Sequence, residues 1–158
     1  ARLPVPPHPH IKIVLDNLIL SNGFDWSMDE KRFYHTDSDT NIIREYDFDK
    51  QNGELSFTGR TIEVPGVDGI TIGQNDLLYV ACWGKAHIAI VDTSSMEVVD
   101  YIEVPTAIPA SCGFCGNEME QLAIVTASLG CDLGIDVYAG FTFSCDVGVK
   151  GRKPFLFG

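Results

Sequence analysis

An all-β fold of repeated four-stranded antiparallel sheets follows from three observations on this 158-residue sequence. First, the turns Ser21-Asn22-Gly23 and Val67-Asp68-Gly69 stand 46 residues apart, and a weaker copy, Ser111-Cys112-Gly113, follows 44 residues later. Second, Phe33-Tyr34, Leu78-Tyr79 and Ala123-Ile124 begin short apolar or aromatic runs at steps of 45, and Asp47 and Asp92 keep the same step. Third, no segment longer than about ten residues carries a 3.6-residue apolar period, so helix is at most a minor component. A period of 44 to 46 residues is that of β-propeller blades. Each blade is a sheet folded back on itself that cannot bury its inner face alone and must stack on a neighbour.

The elements follow in order. Residues 1–10 hold Pro4, Pro6, Pro7 and Pro9 and are expected to be extended and poorly ordered, with His8 and His10 solvated. Residues 11–20 read as a strand leading to the first turn. Asp37-Ser38-Asp39-Thr40-Asn41 reads as an acidic, solvated loop between two strands of the first blade. Asn52-Gly53, between Tyr46-Asp47-Phe48 and Leu55-Ser56-Phe57, is a type I′ hairpin signal, because both central residues tolerate positive φ. Thr93-Ser94-Ser95 takes that place in the next unit, between runs at 88–91 and 98–104. The domain is expected to span 11–158, with blade units at about 20–65, 66–109 and 110–158. Closed rings take about four to eight blades, so three blades imply part of a longer propeller or a ring completed by a second chain.

Composition narrows the function. A formal charge of −11 argues against nucleic acid and anionic membranes as partners, since phosphate binding draws on Lys and Arg, and it suits cations. No stretch approaches the roughly 20 apolar residues of a membrane span, and no basic run leads into an apolar one, so a cytoplasmic location is the expectation. Cys82, Cys112, Cys115, Cys131 and Cys145 are odd in number and sparse, which favours reduced thiols packed as small apolar groups. Cys112 and Cys115 form the one close pair, without the second pair that zinc would need.

Most familiar site patterns fail. The run from Asp37 begins like a calcium-binding EF-hand loop, yet Ile42 occupies the glycine place and Phe48 the bidentate glutamate place. There is no Gly-x-Ser-x-Gly elbow, phosphate loop or His-Glu-x-x-His, and His35 and His87 have no partner spacing. The repeated turns are better candidates, because equivalent positions of successive blades surround one channel and Asn22 and Asp68 can converge there. An amide oxygen and a carboxylate are hard ligands suited to calcium or magnesium, although Asn-Gly and Asp-Gly also serve simply as tight turns.

Longer stretches carry a resemblance. Leu20-Ser21-Asn22-Gly23-Phe24-Asp25-Trp26-Ser27, Val67-Asp68-Gly69-Ile70-Thr71-Ile72, Leu78-Tyr79-Val80-Ala81-Cys82-Trp83-Gly84, Ser111-Cys112-Gly113-Phe114 and Asp146-Val147-Gly148-Val149-Lys150-Gly151 stand in matching order and spacing. In these the chain resembles the C-terminal half of the senescence marker protein, gluconolactonase and luciferin-regenerating enzyme family, which includes regucalcin. The resemblance implies a six-bladed propeller with one divalent cation in its channel, calcium first and zinc, magnesium or manganese as alternatives. It also implies hydrolysis of a sugar lactone. It makes Asn22 and Asp68 two metal ligands and Asp68 the candidate general base. The family's third ligand, a glutamate, and its early substrate contacts have no counterpart here. Val67 replaces a usual proline, Cys115 a common glycine, and Ser128 a frequent arginine. The alternatives are a calcium-binding regulatory propeller without turnover, or a truncated propeller acting as an interaction module.

Overall fold

The computed structural model describes residues 11–154; the expected extended segment at 1–10 lies outside the described residues. Eleven strands and no helix occur among them: β1 Ser21–Trp26, β2 Arg32–Asp37, β3 Ile42–Asp49, β4 Glu54–Glu63, β5 Val67–Ile72, β6 Leu77–Cys82, β7 His87–Asp92, β8 Glu97–Glu103, β9 Pro109–Cys115, β10 Gln121–Thr126 and β11 Thr142–Asp146. They form three antiparallel sheets in the orders β1-β2-β3-β4, β5-β6-β7-β8 and β9-β10-β11. Phe33 of β2 pairs with Tyr46 as Leu78 of β6 pairs with Val91, so the 45-residue step read from the sequence is a step between equal ladder positions.

Alternation along each strand sends one set of side chains to each neighbouring sheet. Tyr34 and Ile43 of the first sheet pack with Ile70, Ile72, Leu78 and Val80 of the second. Tyr79, Ala81 and Ile88 on the second sheet's opposite face pack with Cys112, Leu122 and Ile124 of the third. Burying aliphatic side chains such as Ile43, Leu78, Ile88 and Leu122, all at 0% exposure, is worth about 1.5–3 kcal/mol each, and the two inter-sheet layers supply most of it. The cysteines are free thiols, with Cys82 buried in the first of these layers and Cys112 in the second. Burial pushes the Cys82 thiol up to about 11 and Cys112 higher still, so both are packing groups rather than nucleophiles.

Several expectations change. Residues 11–20 form no strand: they lie alongside the first sheet without a ladder partner, and Ile11 and Ile13 are exposed. The turn after β2 is solvated only at its tip. Asp37 is 1% exposed, and its carboxylate accepts the backbone N–H groups of Leu20 at 2.9 Å and Ile19 at 3.3 Å. Burial alone would raise its pKa, but those two donors and the Arg44 guanidinium hold it below the usual carboxylate range. The hairpin at Asn52-Gly53 is a four-residue loop rather than a two-residue type I′ turn. Only Gly53 has positive φ, the Gly53 N–H donates to Asp49 O, and the Asp49 carboxylate accepts the Gln51 N–H. The β7–β8 loop repeats that arrangement with Asp92, Ser94 and Met96 at φ 56°.

The third sheet has three strands among the described residues, not four. After β11 the chain crosses towards the second and first sheets: Gly151 bridges Gly73, Gln74 N–H donates to Lys150 O, and Arg152 reaches Asp25 at 2.9 Å. Those backbone groups are spent on the crossing and cannot extend the third ladder.

Candidate functional site

The site is built by a repeated irregularity. On β1 the register runs from Ser21 opposite Asp37 to Phe24 opposite His35, so Asn22 and Gly23 share the space opposite Thr36. On β5 it runs from Val67 opposite Cys82 to Ile70 opposite Val80, so Asp68 and Gly69 share the space opposite Ala81. Such a bulge re-aims one side chain out of the pleat, and here the re-aimed residue carries oxygen each time. The glycines that follow allow the inner strands to touch. A Cβ on Gly23 would lie 2.6 Å from Asp68 O, and one on Gly69 would lie 2.2 Å from Ser111 Oγ. Thr36, fully buried, ties the two bulges together by sharing its one hydroxyl proton between Gly23 O and Asp68 O, at 3.1 and 3.0 Å. Nothing in the sequence singled out Thr36; its position opposite the first bulge is the signal.

Asn22 and Asp68 therefore line one cleft of about 400 Å³, together with Leu20, Ser38, Asp39, Val67 and Trp83. Desolvation raises the Asp68 pKa, and a hydrogen bond from the Asn22 side chain offsets part of that rise. No Lys or Arg forms an ion pair with Asp68 among the described residues. Asp25, farther along β1, is the contrast: its carboxylate accepts from Ile72 N–H, Thr71 Oγ1 and Arg152 Nη2, which makes it a strut between sheets. A carboxylate half withdrawn from water beside an asparagine amide, with no counter-cation, brings together two side chains whose oxygens fit a hard divalent ion. No cluster of three His, Cys, Asp or Glu side chains suited to a metal occurs among the described residues. Two oxygens are only part of the six to eight that calcium takes, so further donors must come from elsewhere.

The third turn does not join them. On β9 the extra residue falls between Pro109 and Ser111, at Ala110, while Ser111, Cys112 and Gly113 pair regularly with Val125, Ile124 and Ala123. The place held by Asn22 and Asp68 is thus taken by a methyl group. The third copy of the buried strand likewise begins at Leu122, which faces Phe114 as Leu78 faces Ile72, one residue before the Ala123 that the 45-residue step indicates. Of the two histidines, His35 is buried on β2 with Nε2 2.8 Å from Ser21 Oγ, and His87 stacks edge-on to Tyr101. A larger cavity, about 620 Å³, is walled by Phe24, Trp26, Phe33, Phe48 and the 14–18 segment and does not include Asp68.

Comparison with known proteins agrees with this architecture. The family described as the SMP-30/Gluconolactonase/LRE-like region matches residues 3–128. Regucalcin of Danio rerio is 33% identical over 151 residues, which cover 90% of this chain and 51% of that protein. Human regucalcin is 30% identical over 162 residues, with 96% and 53% covered. A solved luciferin-regenerating enzyme superposes with a TM-score of 0.80 at 30% identity, over 89% of this chain and 50% of that one. A calcium-binding protein, regucalcin, from Agrobacterium tumefaciens gives a TM-score of 0.79 at 23% identity, a likeness of fold, over 88% and 50%. The chain thus spans about half the length of the relatives it matches.

Proposed function

The chain belongs to the SMP-30/gluconolactonase/LRE-like family, and from that membership we propose that it supplies half of the active site of a divalent-metal-dependent sugar-lactone hydrolase. The observation that carries the reading is the convergence of Asn22 and Asp68, from equivalent bulges of neighbouring sheets, in one cleft without a compensating cation. Asn22 Oδ1 and the Asp68 carboxylate would hold the ion, calcium before zinc, magnesium or manganese. When bound, such an ion supplies Lewis acidity to a lactone carbonyl and charge stabilisation to the oxygen that becomes negative. Asp68 also accepts the proton of the attacking water. Water adds to the carbonyl carbon, the ring C–O bond breaks, the ring oxygen takes up a proton, and the open hydroxy acid leaves. The two duties of Asp68 oppose each other: a cation lowers its pKa, which keeps it ionised but makes it a weaker base. The partners follow from the reading: a sugar lactone, and the other propeller half or a second copy of the chain to complete the ring.

Calorimetric titration with calcium of the complete propeller, this chain together with the half that completes its ring, beside a lactone hydrolysis assay, tests this. The expected result is one calcium site, weakened in Asn22→Ala and lost in Asp68→Ala, with hydrolysis that a chelator abolishes. Calcium binding beside a flat lactone screen would instead favour a regulatory propeller. No cation binding at all would leave an interaction module.

A further inference from the structure

The first residue after β2, β6 and β10 occupies one rim position in all three sheets. Ser38 N–H donates to Leu20 O at 2.9 Å, Trp83 N–H to Gly66 O at 2.6 Å, and Ala127 N–H to Ile108 O at 2.9 Å. Each residue is thereby pinned to the strand that carries the bulge, or to the residue just before it. The second position is pinned hardest. Gly66 has φ 80°, and a Cβ there would stand 2.4 Å from Trp83 O; its N–H is in turn held by Asn41 Oδ1 at 2.7 Å. The backbone of a residue with a large aromatic side chain, 39% exposed, is thus fixed at the wall of the cleft that holds Asn22 and Asp68. The equivalent position of the first sheet presents Ser38, whose Oγ is buried in that cleft's wall and has no hydrogen-bond partner. A buried hydroxyl without a partner calls for one, and a solvent molecule or ligand is what the cleft can provide.

We propose that Trp83 is the wall on which the ring of a polyhydroxylated lactone rests, with Ser38 Oγ and the Asp39 carboxylate as hydrogen-bond partners for its hydroxyl groups. A sugar ring has an apolar C–H face and a polar edge, and this cleft offers the two complements. Trp83 and Val67 of the second sheet and Leu20 just before β1 are apolar, whereas Ser38 and Asp39, in the turn after β2 of the first sheet, are polar. The inference rests on the lactonase reading above and adds which residues of this chain would seat the ring of that substrate.

The test measures steady-state hydrolysis of a sugar δ-lactone and calorimetric binding of the corresponding unreactive sugar lactam, with a hydroxyl-free lactam as control. In the natural polypeptide, Trp83→Ala is expected to raise KM and the lactam Kd about 3- to 10-fold with kcat nearly unchanged, and Trp83→Phe to keep most of the affinity. Ser38→Ala should weaken the sugar lactam and leave the hydroxyl-free one as it was. Parental lactam binding in Trp83→Ala would overturn the assignment, even where Asp68→Ala has lost turnover. A parent that turns over no lactone but whose lactam binding depends on Trp83 would sink the lactonase reading and keep the sugar wall. No sugar-lactam binding by the parent would sink both.

Discussion

Asp68 is held half out of water with only the Asn22 side chain to offset the cost, and burial raises its pKa in consequence. An acid raised in the folded state stabilises the fold most below its unfolded pKa, and that benefit fades as pH rises through the folded value. Asp68→Asn in chelator is therefore expected to melt above the parental chain at pH 7, with the gap closing below about pH 3.9. Thermal denaturation at the two pH values checks this. A cation added to the parent should reverse the order. His35 has the opposite sign: burial, then the Arg44 guanidinium, holds its imidazole below the usual range. Its contribution is complete above the unfolded value of about 6.5 and is lost as pH falls through the folded one. The melting temperature should fall between pH 7 and pH 5, and His35→Gln should flatten that slope; an unchanged slope would place the titration elsewhere. Asn22 and Asp68 were legible in the sequence because a small oxygen-bearing residue before glycine recurred in phase. Ser38 and Trp83 were not, because their equivalence lies in a backbone hydrogen bond and their residue types share nothing.

The inner strands meet through glycine, which makes the bulges intolerant of a methyl group. Gly23→Ala would drive a Cβ to 2.6 Å from both Asp68 O and Ile70 N, backbone atoms that cannot rotate away. It is expected to cost about 1–3 kcal/mol by chemical denaturation and to weaken calcium binding by displacing Asp68. Farther out, Arg60 of β4 donates to the Glu45 carboxylate at 2.9 Å and to the Thr93 and Ser94 carbonyls, stapling the first sheet to the β7–β8 loop. Glu45 is 2% exposed, so Arg60→Ala leaves its carboxylate the Tyr34 side chain as hydrogen-bond partner and Arg32, at 3.8 Å, as the remaining ion-pair partner among the described residues. Arg60 itself is 40% exposed, so the expected loss is about 2 kcal/mol, below the roughly 3–5 of a fully buried pair. The four-stranded antiparallel sheets of the first two units followed from periodicity. The third phase slipped because the chain from β5 to β9 is shorter than from β1 to β5, and periodicity cannot tell a shorter connection from a shifted bulge. The hairpin at Asn52-Gly53 slipped for a related reason: Asp49 caps the loop with its own carboxylate, which a dipeptide signal does not contain.

Across the whole molecule, three stacked sheets leave two unlike faces. The first sheet presents an aromatic surface in which Phe24 and Phe57 are 54% and 55% exposed and Trp26 packs on Phe33 at 5.1 Å. The third presents Ala123 paired between Gly113 and Ser144, small groups that a bulkier surface can approach closely. The isolated chain is expected to sediment as a dimer or larger species, and Phe24→Ser with Phe57→Ser to shift it towards monomer. Three blades are fewer than closed rings take, and the chain spans about half the length of the relatives it matches. No helix among the described residues is long and apolar enough to cross a membrane. What remains central is the claim that two bulges in successive sheets make half of a metal-dependent lactonase site. The most direct test is the rate of sugar-lactone hydrolysis by the natural polypeptide, with and without added divalent cation, for the parent and Asp68→Ala. Cation-dependent hydrolysis that falls by at least about 100-fold in the variant is the predicted result; parental rates in Asp68→Ala on every active lactone would contradict it.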